Sequence, residues 1–201
     1  MRILVTLVIV CLAVVTSTVM AAEPSDSDPP RAFAVWERPA AGIFVGVSGI
    51  SDPNSREEGS PELGLVFDTP VVFGIRVRAD ASRTKWLFGG DPSRTTGPRD
   101  IVTLESVRLS VLRVRQINSR TSRYAGGGYG GYRYSYATLP LRKPWRGGLH
   151  GLAGIEVTNF SQRWAFNGEL RIHAVNGTNQ PPVASLYLYK VDAALGLKLR
   201  F

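Results

Sequence analysis

The last segment constrains the fold most. Ala194-Leu195-Gly196-Leu197-Lys198-Leu199-Arg200-Phe201 carries an apolar residue at every second position up to a terminal phenylalanine. Strand side chains alternate between faces, so Val191, Ala193, Leu195, Leu197, Leu199 and Phe201 share one face and Lys190, Asp192, Lys198 and Arg200 the other. One face suits lipid and the other the polar inside of a barrel. An amphipathic strand lying on a soluble core alternates in the same way, so the start of the chain has to help decide.

Met1-Arg2 is a short positive segment, Ile3 to Val15 is almost wholly apolar, and Val19-Met20-Ala21 has the small-residue pattern of a cleavage site. Together these are the three parts of a secretory signal peptide, expected to be cleaved after Ala21 or Ala22. Thr16-Ser17-Thr18 and Glu23-Pro24 argue against an uncleaved anchor helix. The expected layout is a signal peptide over 1–21, a Pro-, Ser- and Asp-rich periplasmic lead-in over 22–40 and a barrel over 41–201. Cys11, the only cysteine, falls inside the signal, so the exported chain is expected to have no disulfide or thiol chemistry. Beyond it no stretch approaches the ~20 consecutive apolar residues of a spanning helix, although 44% of the chain is hydrophobic. A spanning role therefore falls to strands. Loss of Arg2 with the signal changes the formal charge from +8 to +7 (8 − 1). Export and the scatter of the basic residues over many strands exclude nucleic acid as the partner, leaving lipopolysaccharide and phospholipid headgroups as the expected counter-charges.

From Ala41 the chain divides into eight strand candidates whose connections alternate between short and long, the habit of an exported up-and-down barrel. They are Gly42–Ile50, Glu62–Phe67, Val71–Ala79, Asp100–Arg115, Arg123–Tyr136, Gly148–Thr158, Arg163–Val175 and Ala184 to the end. Long loops are expected over 51–61, 80–99, 137–147 and 176–182, with Lys85 to Phe88 of the second a candidate extension of a strand above the membrane. Strand four loses its apolar register between Val111 and Leu112, which predicts a bulge. Strand five contains Tyr124-Ala125-Gly126-Gly127-Gly128-Tyr129-Gly130-Gly131-Tyr132. This tract lacks the Lys-Ser/Thr of a phosphate-binding loop, so its glycines are expected to mark strand bends and its tyrosines the membrane interface. Leu63 to Val77 and Ala153 to Ile172 share one pattern, read as strand, periplasmic turn, strand.

With Arg123-Tyr124-Ala125-Gly126-Gly127-Gly128-Tyr129-Gly130, Gly148 to Val157, Arg163-Trp164-Ala165-Phe166 and the Gly196 to Phe201 ending in place, the chain resembles the outer membrane protein β-barrel domain family. These are the small eight-stranded, OmpA/OmpX-like barrels of Gram-negative bacteria. The resemblance covers most of the chain after the signal. It implies an all-β, eight-stranded antiparallel transmembrane barrel in the outer membrane, monomeric and without cofactor. It also implies that Leu197, Leu199 and Phe201 serve as the signal read by the barrel-assembly machinery. Members range from structural proteins to adhesins and a few lipid-modifying enzymes, so activity is not implied.

Eight strands enclose a lumen just wide enough for side chains. On the registers above Arg76, Arg78, Glu156, Arg163, Glu169, Arg171, Asp192 and Lys198 point inward, where charges need partners. An interior ion-pair network, not an open pore, is the expectation. His150 is expected opposite Arg171, two positions from His173. A lipid A deacylase of this architecture places serine two residues after its histidine, but Leu152 and Val175 stand there. Ser185 is the one candidate nucleophile near His173, and two histidines without a third ligand make no metal site. The chain is therefore read as non-enzymatic. Loop three holds Arg142, Lys143 and Arg146 beside Trp145, a set suited to lipopolysaccharide phosphates. A lipid-modifying hydrolase and a soluble, lipocalin-like periplasmic barrel are the alternatives.

Overall fold

A computed structural model describes residues 38–51, 60–88, 100–136, 145–159, 161, 163–180 and 183–201. The expected signal peptide and nearly all of the lead-in lie outside the described residues. Eight strands, β1 (Ala40–Ser51), β2 (Ser60–Asp68), β3 (Ile75–Phe88), β4 (Asp100–Gln116), β5 (Thr121–Tyr136), β6 (Arg146–Thr158), β7 (Trp164–Gln180) and β8 (Val183–Arg200), form one closed barrel. Each strand pairs antiparallel with its neighbours in sequence, and β1 closes on β8, with Ile43 opposite Leu197 and Ser48 opposite Asp192. Closure leaves no unpaired edge, which is what backbone amides require inside a membrane.

Alternation decides which way each strand faces. Along β2, Glu62, Val66 and Asp68 are buried while Leu63, Leu65 and Phe67 are exposed. On β8, Lys190, Asp192, Lys198 and Arg200 are buried, and Leu195 is 70% exposed. Charge lies inside and leucine outside, the reverse of a soluble protein and of a lipocalin-like barrel. On β4, Val107, Leu109 and Val111 form the outer apolar face between Glu105 and Arg113. Eight residues at ~3.3 Å each, tilted by ~40°, give a belt roughly 20 Å tall.

Most strand limits differ from the sequence reading by one or two residues, and those of β3 and of the β7–β8 connection differ by more. Strand three begins at Ile75 and runs through Phe88, so much of the expected 80–99 loop is strand. Val72, Phe73 and Gly74 belong instead to the preceding turn, where Val72 and Ile75 exchange both N–H···O bonds at 2.9 Å. Phe73 and Gly74 there have φ of 52° and 73°, the left-handed region. β7 and β8 likewise continue to Gln180 and from Val183, in place of a loop over 176–182, with one irregularity of pairing near Thr178.

The bulge expected in β4 is absent. Ile75↔Arg113 through Phe88↔Asp100, and Val102↔Tyr136 through Gln116↔Ser122, are unbroken. Leu112 and Val114 face inward near the short-turn end while Arg113 and Arg115 face outward. What looks like a slip is one regular strand leaving the apolar belt. The glycine and tyrosine tract is part of β5, but Tyr124, Tyr132 and Tyr134 are buried in the lumen, and of these tyrosines and Tyr129 only Tyr129 is exposed. The neighbouring glycines make room for the inner rings. A Cβ on Gly154 would lie 2.6 Å from the Tyr124 hydroxyl, and one on Gly148 would lie 2.9 Å from the Tyr132 ring.

Candidate functional site

The lumen concentrates the chemistry of this chain. Among the described residues it buries six acids, Glu62, Asp68, Asp80, Glu156, Glu169 and Asp192, and seven bases, Arg76, Arg78, Arg108, Arg171, Lys190, Lys198 and Arg200. This near balance of charge is what a closed, low-dielectric interior demands.

The network runs unbroken along the barrel. At the short-turn end, Glu156 accepts from Lys198 Nζ at 2.6 Å, Arg200 at 2.5 Å and Arg76 at 3.1 Å. Lys198 also reaches Asp68 at 2.7 Å, and Asp68 accepts from Arg78 Nε at 2.6 Å. Arg78 then bridges to Glu169 at 2.5 Å, where the Tyr124 hydroxyl donates at 2.7 Å. Arg171 pairs with Glu169 and lies 3.6 Å from Asp80, with its guanidinium 4.1 Å from the centre of the Phe44 ring. Arg108 Nε donates to Asp80 at 2.5 Å, and its Nη2 lies 3.5 Å from Glu62. Lys190 joins Glu62 at 3.2 Å to Asp192 at 2.8 Å.

A histidine pair sits on one side of this column. His150 and His173 are directly opposite each other across β6 and β7, ring centres 5.8 Å apart. The expected partner of His150, Arg171, faces Leu152 instead, because the β6–β7 connection holds the strands two residues further along. His173 Nε2 lies 2.7 Å from Asp192 and its Nδ1 lies 2.9 Å from the Tyr132 hydroxyl. With Nε2–H donating to the carboxylate, the tyrosine O–H donates to Nδ1. His150 Nε2 lies 2.7 Å from Ser110 Oγ. Ser185 is not brought to His173. It pairs with Thr178, while His173 pairs with Lys190, five positions away along β8.

Of the eight residues expected in the network, Arg76, Arg78, Glu156, Glu169, Arg171, Asp192 and Lys198 are in it. Arg163 is not: it precedes β7 and is exposed, because the strand starts one residue later at Trp164. The sequence reading missed Glu62, Asp68 and Asp80, which it placed at strand ends or in a loop, and Arg108. Alternation was the signal that could have found them, since Asp80 follows Arg76 and Arg78 on the same face of β3.

Outside the lumen, Arg83, Glu105 and Arg133 stand in a row across β3, β4 and β5 at the upper edge of the belt. Arg133 pairs with Glu105, and its guanidinium lies 5.2 Å from the Trp145 ring, which is 49% exposed. Together with Leu63, Leu65 and Val107 they border an outward groove of about 490 Å³. Arg146, expected to join this set, begins β6 opposite the buried Tyr132 and so shares the inward side of the strand with His150. Arg142 and Lys143 lie outside the described residues. Leu197, Leu199 and Phe201 occupy the outer face of β8, and the Phe201 N–H donates to the Pro39 carbonyl at 3.2 Å.

A closed eight-stranded antiparallel barrel, apolar outside and filled with paired charge inside, is the fold of the small outer-membrane barrels. Three solved structures share it. Neisserial surface protein A superposes with a TM-score of 0.64 at 13% identity, covering 81% of this chain and 97% of that one. Ail, the attachment invasion locus protein of Yersinia pestis, gives 0.55 at 13% identity, with 82% and 99% covered. OprG from Pseudomonas aeruginosa gives 0.54 at 15% identity, with 82% and 96% covered. At such identities the likeness is one of fold. No protein-family model and no curated protein sequence matches the chain.

Proposed function

We propose that this protein is a non-enzymatic, monomeric barrel of the Gram-negative outer membrane that uses its surface and not its lumen, with a structural or surface-interaction role through its extracellular loops. One observation carries the reading: a continuous chain of ion pairs from Arg200 to Asp192 occupies the lumen. The short connections 69–74, 117–120 and 159–163 share one end with β1's start and β8's end, and short turns are periplasmic in such barrels. Trp145 and Arg133 then lie at the outer leaflet, where lipopolysaccharide phosphates are the matching ligand, and the basic residues Arg142, Lys143 and Arg146 next to Trp145 in sequence are the proposed contributors to the same contact. Leu197, Leu199 and Phe201 are offered to the assembly machinery on the outer face of β8.

The same geometry supports the absence of a lipid hydrolase. Ser110 and His150, which lie within hydrogen-bond distance, are both buried in the lumen, away from any acyl chain in the bilayer. A surface attachment role agrees with the fold's use in Ail, the attachment invasion locus protein of Yersinia pestis.

Two measurements test the proposal. Fractionated membranes should hold a band in the outer-membrane fraction whose mobility changes on boiling, and the reconstituted barrel should give no steady conductance in planar bilayers. A soluble periplasmic band or an ohmic channel would overturn it. Replacing Arg142, Lys143 and Arg146 with Ser should weaken binding to lipopolysaccharide micelles at low salt; equal binding removes the headgroup assignment.

A further inference from the structure

Two ladder rows cross the outer wall at the upper edge of the belt. The lower joins Ile43, Leu65, Ala81, Val107 and Gly131, each the direct cross-strand partner of the next. The upper joins Leu63, Arg83, Glu105 and Arg133 in the same way. The groove of about 490 Å³ lies between them. Its depth follows from residue size. Branched side chains at Ile43, Leu65 and Val107 stand out from the wall, each more than half exposed, whereas Ala81 between Leu65 and Val107 offers only a methyl. Trp145 closes one end, its ring 3.1 Å from where a Cβ on Gly131 would sit. One long side of the groove is therefore apolar, and the other carries charge.

That charge is not balanced within the wall. Glu105 is the cross-strand partner of both arginines, but its carboxylate pairs with Arg133, whose guanidinium also lies 5.2 Å from the Trp145 ring. The exposed side chains of Arg83 and of Lys85, two positions along the same face of β3, have no ion pair or hydrogen bond among the described residues. Three cations against one carboxylate leave two positive charges on the polar side of an apolar groove. Two residues of strand separate Arg83 from Lys85 by ~7 Å, close enough for both long side chains to converge on one phosphate. A phosphate group carrying about −1.5 to −2 matches that excess. The guanidinium offers it paired N–H···O bonds and the ammonium a mobile point charge.

We infer that the groove seats one acyl chain of a phosphorylated glycolipid, the lipid A part of lipopolysaccharide, along Ile43, Leu65, Ala81 and Val107, with its phosphate on Arg83 and Lys85. The inference rests on the proposed function, which turns this end outward and makes lipopolysaccharide the matching ligand. It adds a seat for the chain and two cations outside loop three. Lipid tails are as apolar as the wall, so the groove gains only packing, and the phosphate supplies most of the affinity. Cations beside a groove select a lipid that holds its phosphate and its acyl chain at that spacing, whereas cations alone attract any anionic headgroup. Trp145 at the end of the groove stands where an interfacial ring meets the headgroup layer.

The test uses the full barrel in phosphatidylcholine vesicles holding equal small amounts of bis-phosphorylated lipid A and phosphatidylglycerol, with the lipids retained on the barrel counted by native mass spectrometry. The wild-type protein should retain lipid A in excess. Each cation near a membrane phosphate contributes a factor of about five at low salt, so Arg83→Ser with Lys85→Ser should lower that retention about twenty-five-fold. Ala81→Phe keeps every charge and an apolar wall but fills the groove, and it should lower retention about threefold through lost packing. Both variants change outward side chains only and should still shift on boiling. Should the double variant not fold, Arg83→Ser alone should give a loss of about fivefold. Unchanged retention in the folded cation variant or in Ala81→Phe overturns the groove site. If the Arg142→Ser, Lys143→Ser, Arg146→Ser protein alone loses lipid A, the groove is overturned while the headgroup assignment to loop three stands. Equal retention of phosphatidylglycerol and lipid A by the wild type overturns lipid A as the occupant, and retention of neither overturns the lipopolysaccharide assignment of the proposed function as well.

Discussion

Replacing Glu156 with Gln should be among the most damaging single changes in the barrel, and its size follows from the contacts. Glu156 holds Lys198 at 2.6 Å, Arg200 at 2.5 Å and Arg76 at 3.1 Å, and its side chain is 1% exposed. Three charge-assisted hydrogen bonds of ~1.5–3 kcal/mol would sum to ~4.5–9 kcal/mol. Gln keeps one carbonyl acceptor, and Arg76 and Lys198 keep Asp68 at 3.4 and 2.7 Å, so the expected loss is about 3–5 kcal/mol. Glu105→Gln breaks an outward pair whose side chains are 30% and 32% exposed, and it should cost at most ~1 kcal/mol. Adding Lys198→Met to Glu156→Gln removes a buried cation together with its acid, so the double variant should recover much of the loss. Urea unfolding in lipid vesicles, followed by tryptophan fluorescence and by electrophoretic mobility without boiling, reads all three. Equal midpoints for the Glu156 and Glu105 variants, or a double variant weaker than Glu156→Gln alone, would show that the lumen is not held by paired charge.

Three further predictions come from other parts of the wall. Leu109→Arg, in the middle of the outer apolar face of β4, should destabilise the inserted barrel by ~2–4 kcal/mol in the same unfolding assay, whereas Leu109→Ala should cost much less. Gly154→Val should cost ~1–3 kcal/mol, because its side chain meets the Tyr124 hydroxyl, and Tyr124→Leu in the same chain should restore part of that; an unperturbed Gly154→Val midpoint would contradict the seating of Tyr124 on that glycine. Tyr132→Phe leaves His173 Nδ1 without its donor and should cost ~1–3 kcal/mol by the same titration, while Tyr129→Phe, on the outer face, should leave the midpoint in place.

The sequence was most readable where the membrane belt imposes strict alternation. Within it Val77 and Arg78, or Leu195 and Asp192, differ so sharply that facing and register follow from residue type. Legibility fails beyond the belt. Past Ala81, β3 continues with Ser82 and Thr84 inward and Arg83 and Lys85 outward, and neither face is apolar, so the segment reads as loop although its ladder is complete to Phe88. Asp80 was lost with it. At the other end of β4 the pattern inverts, since Leu112 and Val114 fill the barrel mouth while Arg113 and Arg115 leave the belt. A regular strand there imitates a bulge. Tyr124 and Tyr132 went astray for a different reason: the room they occupy is created by Gly154 and Gly148 on β6, and no local pattern in β5 reveals it. The pairing of His150 with His173 depended on the length of the β6–β7 turn, where two residues of register decide the partner.

The central claim is that charge faces the lumen and the apolar face meets lipid. Single cysteines placed in turn at positions 189 to 199 of β8, in a chain with Cys11 replaced by Ser, would carry an environment-sensitive fluorophore in vesicles containing nitroxide-labelled lipid. The account predicts quenching with a period of two, strong at Tyr189, Val191, Ala193, Leu195, Leu197 and Leu199 and weak at Lys190, Asp192, Ala194, Gly196 and Lys198. Quenching at the even positions, or at none, would mean that the apolar face does not meet the bilayer, and the barrel would not be a membrane protein.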